Sequence, residues 1–136
     1  MTKKTPKIKT HYSRYSSYKK IAYNFLEAAV ISAEMGYYNA AGVLFVHSAI
    51  AFGDAITIKL SSTKSSGDNH FQIISLIEDI VKPSNEKTKA LNHLRKIIDQ
   101  KNLVSYSGEE YNYKDIVELQ KNAQRFQTWA LKILDN

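Results

Sequence analysis

From Tyr38 to Leu60 the chain is apolar on nearly every side of a helix, and this stretch constrains the fold more than any other. A surface helix turns a polar face to water, whereas a helix that is apolar all round has to be enclosed. Between Ala40 and Ile58 the polar interruptions are His47, Ser48, Asp54 and Thr57. They make the segment too polar for a membrane span and mark it as a buried core helix. Its small residues (Ala40, Ala41, Gly42, Ala49, Ala51, Gly53, Ala55) let neighbouring helices come close.

Such a helix needs others around it, and the apolar periodicity supplies them. A first helix is expected from about Ser16 to Met35. One stripe there is Ile21, Phe25, Ala28 and Ser32, with Ala22, Leu26, Ala29 and Ala33 beside it. Gly36 ends this helix, because glycine accepts the left-handed conformation, and so short a link makes the first two helices antiparallel neighbours. A polar loop follows from Ser61 to Asp68, with Asp68 or Asn69 as a cap. A third helix is expected over about 69–81, and Pro83-Ser84 restarts the chain with Ser84 as N-cap. The fourth helix is read as continuous over about 85–104, presenting Leu91, Leu94 and Ile98. The last runs over about 113–134, where Ile116, Leu119, Ala123, Phe126, Ala130 and Ile133 alternate spacings of three and four. Strand signals are weak, since no Asn-Gly or Asp-Gly turn is flanked by alternating apolar residues. The expected fold is an all-α, up-down bundle of four to five helices over residues 16–136, with residues 1–15 as a flexible basic arm.

Charge and cysteine usage narrow the function classes. The chain has no cysteine, which removes disulfides, thiolate nucleophiles and Cys-type metal sites and fits a reducing cytoplasm. Residues 1–20 have no apolar run like that of a signal peptide. The net charge of +6 is concentrated there: Lys3, Lys4, Lys7, Lys9, Arg14, Lys19 and Lys20 face no acid, which leaves 12 basic groups against 13 acidic ones elsewhere. Tyr12, Tyr15 and Tyr18 lie among these cations. Two readings stay open: an arm that contacts phosphate and stacks on bases, or a solvated terminus leading into a helix.

Sequence motifs for established chemistries are missing. There is no phosphate loop, dinucleotide fingerprint or nucleophile elbow. His11, His47, His70 and His93 never stand four apart, and no Glu-x-x-His pair occurs, so no metal site or cofactor is expected. One constellation remains on the central helix, where Asn39, His47 and Asp54 share an arc. They either line a polar pocket, with His47 as acid, base or ligand, or act structurally. In the second case Asn39 sits near the helix start, while His47 and Asp54 meet polar groups of a neighbour. His47 and Asp54 are ~10 Å apart along the axis, too far for direct contact. A second candidate is Lys101 to Tyr106 at the end of the fourth helix.

The order of these pieces resembles the HEPN domain superfamily. The likeness spans about residues 20–135. It rests on Gly36-Tyr37-Tyr38-Asn39-Ala40-Ala41-Gly42 opening a helix that carries His47 and Asp54, then His70, then Leu103-Val104-Ser105-Tyr106-Ser107-Gly108, then Asn122-Ala123-Gln124-Arg125-Phe126. The resemblance implies a helical bundle, often a homodimer. Its members include ribonucleases, toxins paired with nucleotidyltransferase antitoxins, and non-catalytic modules that bind RNA or nucleotide. Ribonuclease members carry Arg, four to six residues, then His. None of Arg14, Arg95 and Arg125 is followed in that way, and the positional counterpart is Lys101 with Tyr106. The expectation is therefore a non-catalytic binding module whose ligand residues are Asn39, His47, Asp54, His70 and Lys101. Its partners would be a second copy, RNA or nucleotide, or a protein such as a nucleotidyltransferase antitoxin. A divergent ribonuclease using Lys101, Tyr106 and His47 is the alternative, and a purely structural interaction subunit is a third.

Overall fold

A computed structural model of the protein describes residues 6–67 and 69–136. Helices dominate it: α1 (Tyr15–Glu34), α2 (Tyr38–Ser61), α3 (Phe71–Ile80), α4 (Asn85–Asp99), the short α5 (Lys101–Ser105) and α6 (Tyr113–Leu134). The all-α bundle is the architecture observed. Cross-helix contacts give its directions. Ser48 meets Ala22 and His47 meets Phe25, so α1 and α2 run antiparallel. His93 meets Asn122 and Glu86 meets Lys132, so α4 and α6 are antiparallel as well. Asn39 meets Tyr111 while Lys59 meets Ile133, so α2 and α6 run parallel.

α2 is the hub. Every residue from Ser48 to Ile58 is buried, and α2 packs against all five other helices. By length and composition α2 could cross a membrane, but most of it is buried within the bundle. Its glycines sit where neighbours come closest. A Cβ at Gly42 would lie 2.6 Å from Val104 Cγ1, and one at Gly53 would lie 2.7 Å from Ile73 Cγ2. Gly36, at φ +83°, closes α1: its amide donates to the Ala33 carbonyl, and the Tyr37 amide donates to that of Ser32. The α1 stripe facing the core is Ala22, Leu26 and Ala29, which leaves Ile21 exposed.

Caps fix the remaining helix ends. Ser84 accepts from the Lys87 amide at 3.0 Å. Asn69 accepts from the Phe71 amide at 3.0 Å, and Asp68, the other expected cap, lies outside the described residues. Asn112 and Asp115 form a reciprocal capping box at the start of α6. Two lysines close helix C-termini. Lys59 Nζ donates to the Ile133, Leu134 and Asn136 carbonyls at 2.8–3.0 Å. Buried Lys87 donates to the Glu78 and Val81 carbonyls and pairs with the Glu78 carboxylate at 3.1 Å. Ammonium groups there satisfy orphan carbonyls and oppose the negative end of the helix dipole.

Two elements differ from the sequence reading. The fourth helix is not continuous: at Gln100 the amide bonds to the Ile97 carbonyl, three residues back, and the chain restarts as α5. The Tyr111 hydroxyl donates to the Gln100 side chain at this break, and Val104 then packs on Gly42. The second difference is a small sheet. β1 (Lys7–Lys9) pairs antiparallel with β2 (Thr63–Ser65), with Ile8 opposite Lys64. The stretch read as part of an arm is thus paired from Lys7 onward, and a 3₁₀ turn (Tyr12–Arg14) leads directly into α1. Partners more than fifty residues apart carry no local strand signal, which is why neither strand was legible. Lys3 and Lys4 lie outside the described residues.

Candidate functional site

Between Ala40 and Ile58 four polar residues interrupt the apolar surface of α2, and two of them have structural partners. Ser48 donates to the Ala22 carbonyl at 2.8 Å, and Thr57 donates to that of Asp54 at 3.1 Å. His47 and Asp54 have no such partners. His47 is half-buried, with its ring 5.8 Å from the Phe25 ring. Asp54 is only 8% exposed, and its Oδ1 has no hydrogen-bond partner among the described residues. An unpaired buried polar atom loses the water it would otherwise bind, a cost of about 1–3 kcal/mol.

Elements distant in sequence bring further charged groups to this edge of α2. His70 precedes α3, Lys101 opens α5 and Lys64 lies on β2. His47 is held below the usual histidine pKa by burial and by the Lys101 ammonium. His70 is lowered by burial, then by Lys101, His47 and Lys64. Both imidazoles are therefore neutral at pH 7. Burial raises the Asp54 carboxyl to about 6, against the opposing pull of Lys64. His70 Nδ1 is a second buried atom without a hydrogen-bond partner.

His47, His70 and Lys101 lie within electrostatic range of one another, and Lys64 acts on both His70 and Asp54. Asn39 and Tyr106 are placed differently. Asn39 is occupied structurally: its Nδ2 donates to the Glu109 carbonyl at 2.8 Å and to that of Val104 at 3.4 Å. Its Oδ1 accepts from the Tyr111 amide at 2.8 Å. Asn39 thereby clamps the connection between α5 and α6. Tyr106 is 78% exposed.

Two residues at the site escaped the sequence reading. Lys64 falls in the stretch expected as a loop and is positioned by the β1 pairing. Its Nζ sits 6.0 Å from the centre of the Tyr18 ring. Phe25, expected in one of the two α1 stripes, is half-exposed beside His47. Among the described residues no three His, Asp or Glu side chains converge as a metal-binding group. The assembled chemistry is two neutral imidazoles and two ammonium groups next to aromatic rings, with one buried carboxyl. That set favours an anion, and neutral imidazoles can donate or accept a hydrogen bond according to tautomer. No protein-family model, curated protein or solved structure matches the chain.

Proposed function

We propose that the protein is a non-catalytic, HEPN-like module that acts as a homodimer and binds a phosphate-bearing ligand, nucleotide or RNA, at the His47–His70–Lys101 cluster. The observation that carries this reading is that His47 of α2, His70 before α3 and Lys101 of α5 lie within electrostatic range of one another, with His70 Nδ1 buried and without a hydrogen-bond partner. Lys64 adds a second cation, and the Tyr18 ring beside it offers a face on which a base can stack. The dimer is supported by α1. Positions 21, 25, 28, 32 and 35 form a seam with spacings of four and three, along which Ile21 and Met35 are 43% and 64% exposed.

The test is titration of a nucleoside monophosphate and an RNA oligonucleotide into the wild-type protein and Lys101→Met. Wild type binds both, and binding tightens as the pH falls below about 6.5, because a bound phosphate favours protonated His47 and His70. Lys101→Met weakens both ligands. Equal affinity in the variant, or no binding by wild type, would refute the assignment.

A second reading draws on the same observation. Two neutral histidines beside a lysine could also serve acid–base chemistry at a phosphodiester, with the lysine holding the phosphate. Incubation with RNA separates the two: intact RNA supports the binding module, and cleavage lost in His47→Gln and His70→Gln supports an enzyme.

A further inference from the structure

The acid–base balance of residues 21–136 is nearly even, but the fold separates the signs in space. On α6, Lys114, Lys121, Arg125 and Lys132 recur at intervals of seven, four and seven. At ~100° and ~1.5 Å per residue they lie within an arc of about 40° along a row about 27 Å long. The row lies opposite the buried stripe of Ile116, Leu119, Ala123 and Ala130, so all four cations are exposed. Antiparallel α4 adds Lys89 and Lys96, again seven apart and exposed.

The two helices bound shallow grooves lined by five of these cations, with Lys121 beside them on α6. Lys96 and Lys114 share one with Gln100 and Asn122. Lys89, Arg125 and Lys132 share the next. Among the described residues the only ion pair in this set joins Lys132 to Glu86, at 3.7 Å with both side chains more than 60% exposed, a weak pair. Asp115 is occupied by its capping box, and Glu118 is the remaining carboxylate beside the row. The face therefore carries a net positive charge that the protein leaves unmatched.

We infer that the α4–α6 face binds the sugar-phosphate backbone of a nucleic-acid duplex. A straight row of cations about 27 Å long matches a repeating anion rather than a single one. Aromatic platforms are lacking along it, since Tyr113 is exposed only at one end and Trp129 is buried, so the face does not suit unstacked single strands. Packed helices lie about 8–10 Å apart, comparable with the roughly 6–12 Å groove widths of B-form DNA, so the rows on α4 and α6 can reach phosphates on opposite strands. Phosphate is common to DNA and RNA duplexes. This surface is separate from the His47–His70–Lys101 cluster and does not depend on the reading proposed for it.

The experiment is fluorescence anisotropy with labelled DNA and RNA duplexes and a single strand of equal length, across about 50–200 mM salt. It compares the full chain with the double variant K121Q/R125Q, checked for folding by circular dichroism. Wild type should bind duplex more tightly than single strand, with log K falling against log salt at a slope of about −3.6 to −5.4, as four to six phosphate contacts require. The double variant should flatten that slope by about 2 and weaken duplex binding at least tenfold at low salt, with mononucleotide binding retained. The DNA and RNA arms show which duplex is preferred. Unchanged duplex binding in K121Q/R125Q, which would shift the contact to the N-terminal basic residues, overturns the inference. A preference for single strands, or an affinity indifferent to salt, does the same.

Discussion

Replacing Asp54 by Asn isolates the energetic cost of keeping an ionisable group inside α2. Burial raises the Asp54 carboxyl from 3.8 to about 6. A raised acid binds more protons when folded than when unfolded, so its contribution to stability is fully present below pH 3.8 and lost as the pH rises through about 6. The displacement of about two pH units, at ~1.4 kcal/mol each, gives a loss of roughly 3 kcal/mol by pH 7. Asp54→Asn removes this dependence. The Asn amide adds a pH-independent cost of about 1–3 kcal/mol if its donors stay unpaired, which shifts the curve without tilting it. His47 and His70, with lowered values, tilt stability the opposite way, since their contribution is present above pH 6.5 and is lost as the pH falls. That term is common to both proteins and cancels in their difference. Urea unfolding of wild type and Asp54→Asn from about pH 4 to pH 7.5 should show the difference moving by about 2 kcal/mol in favour of the variant as the pH rises, the rest of the change lying below pH 4. Lys64→Met, which removes the cation opposing the shift, should push the Asp54 titration still higher, as read by carboxyl NMR. Parallel stability curves for wild type and Asp54→Asn would refute the reasoning.

Other perturbations follow from named contacts. Asn39→Ala removes three hydrogen bonds to the connection between α5 and α6. It should cost about 2–3 kcal/mol in urea unfolding and speed hydrogen exchange at the Tyr111 amide. Lys87→Met keeps the buried stem but strands the Glu78 and Val81 carbonyls, and should cost about 2–4 kcal/mol. Lys132→Met, which breaks an exposed pair with Glu86, should cost less than about 1 kcal/mol in the same assay.

What the chain states locally was legible in it. The nearly all-round apolar character of Tyr38 to Leu60 announced a hub helix, Gly36 and Ser84 marked helix ends, and the three-four spacing of Ile116 to Ile133 marked the final helix. Each depends on residues within a turn or two of one another, so one-dimensional reading suffices. His47, Asp54, His70 and Lys101 stood out for a related reason, since ionisable groups near apolar surface are conspicuous in sequence. What they do to one another was not legible. The β1–β2 pairing that positions Lys64 joins segments more than fifty residues apart. Asn39 looked like a member of a polar arc, yet its side chain is taken up by carbonyls and an amide sixty-five to seventy-two residues away. The even charge balance of residues 21–136 hid a sorted surface, because a sum over residues does not record which side of a helix each one occupies. Local pattern determined the helices and most of their ends. Tertiary packing decided which polar side chains were satisfied, which were left to face one another, and where the positive charge collected.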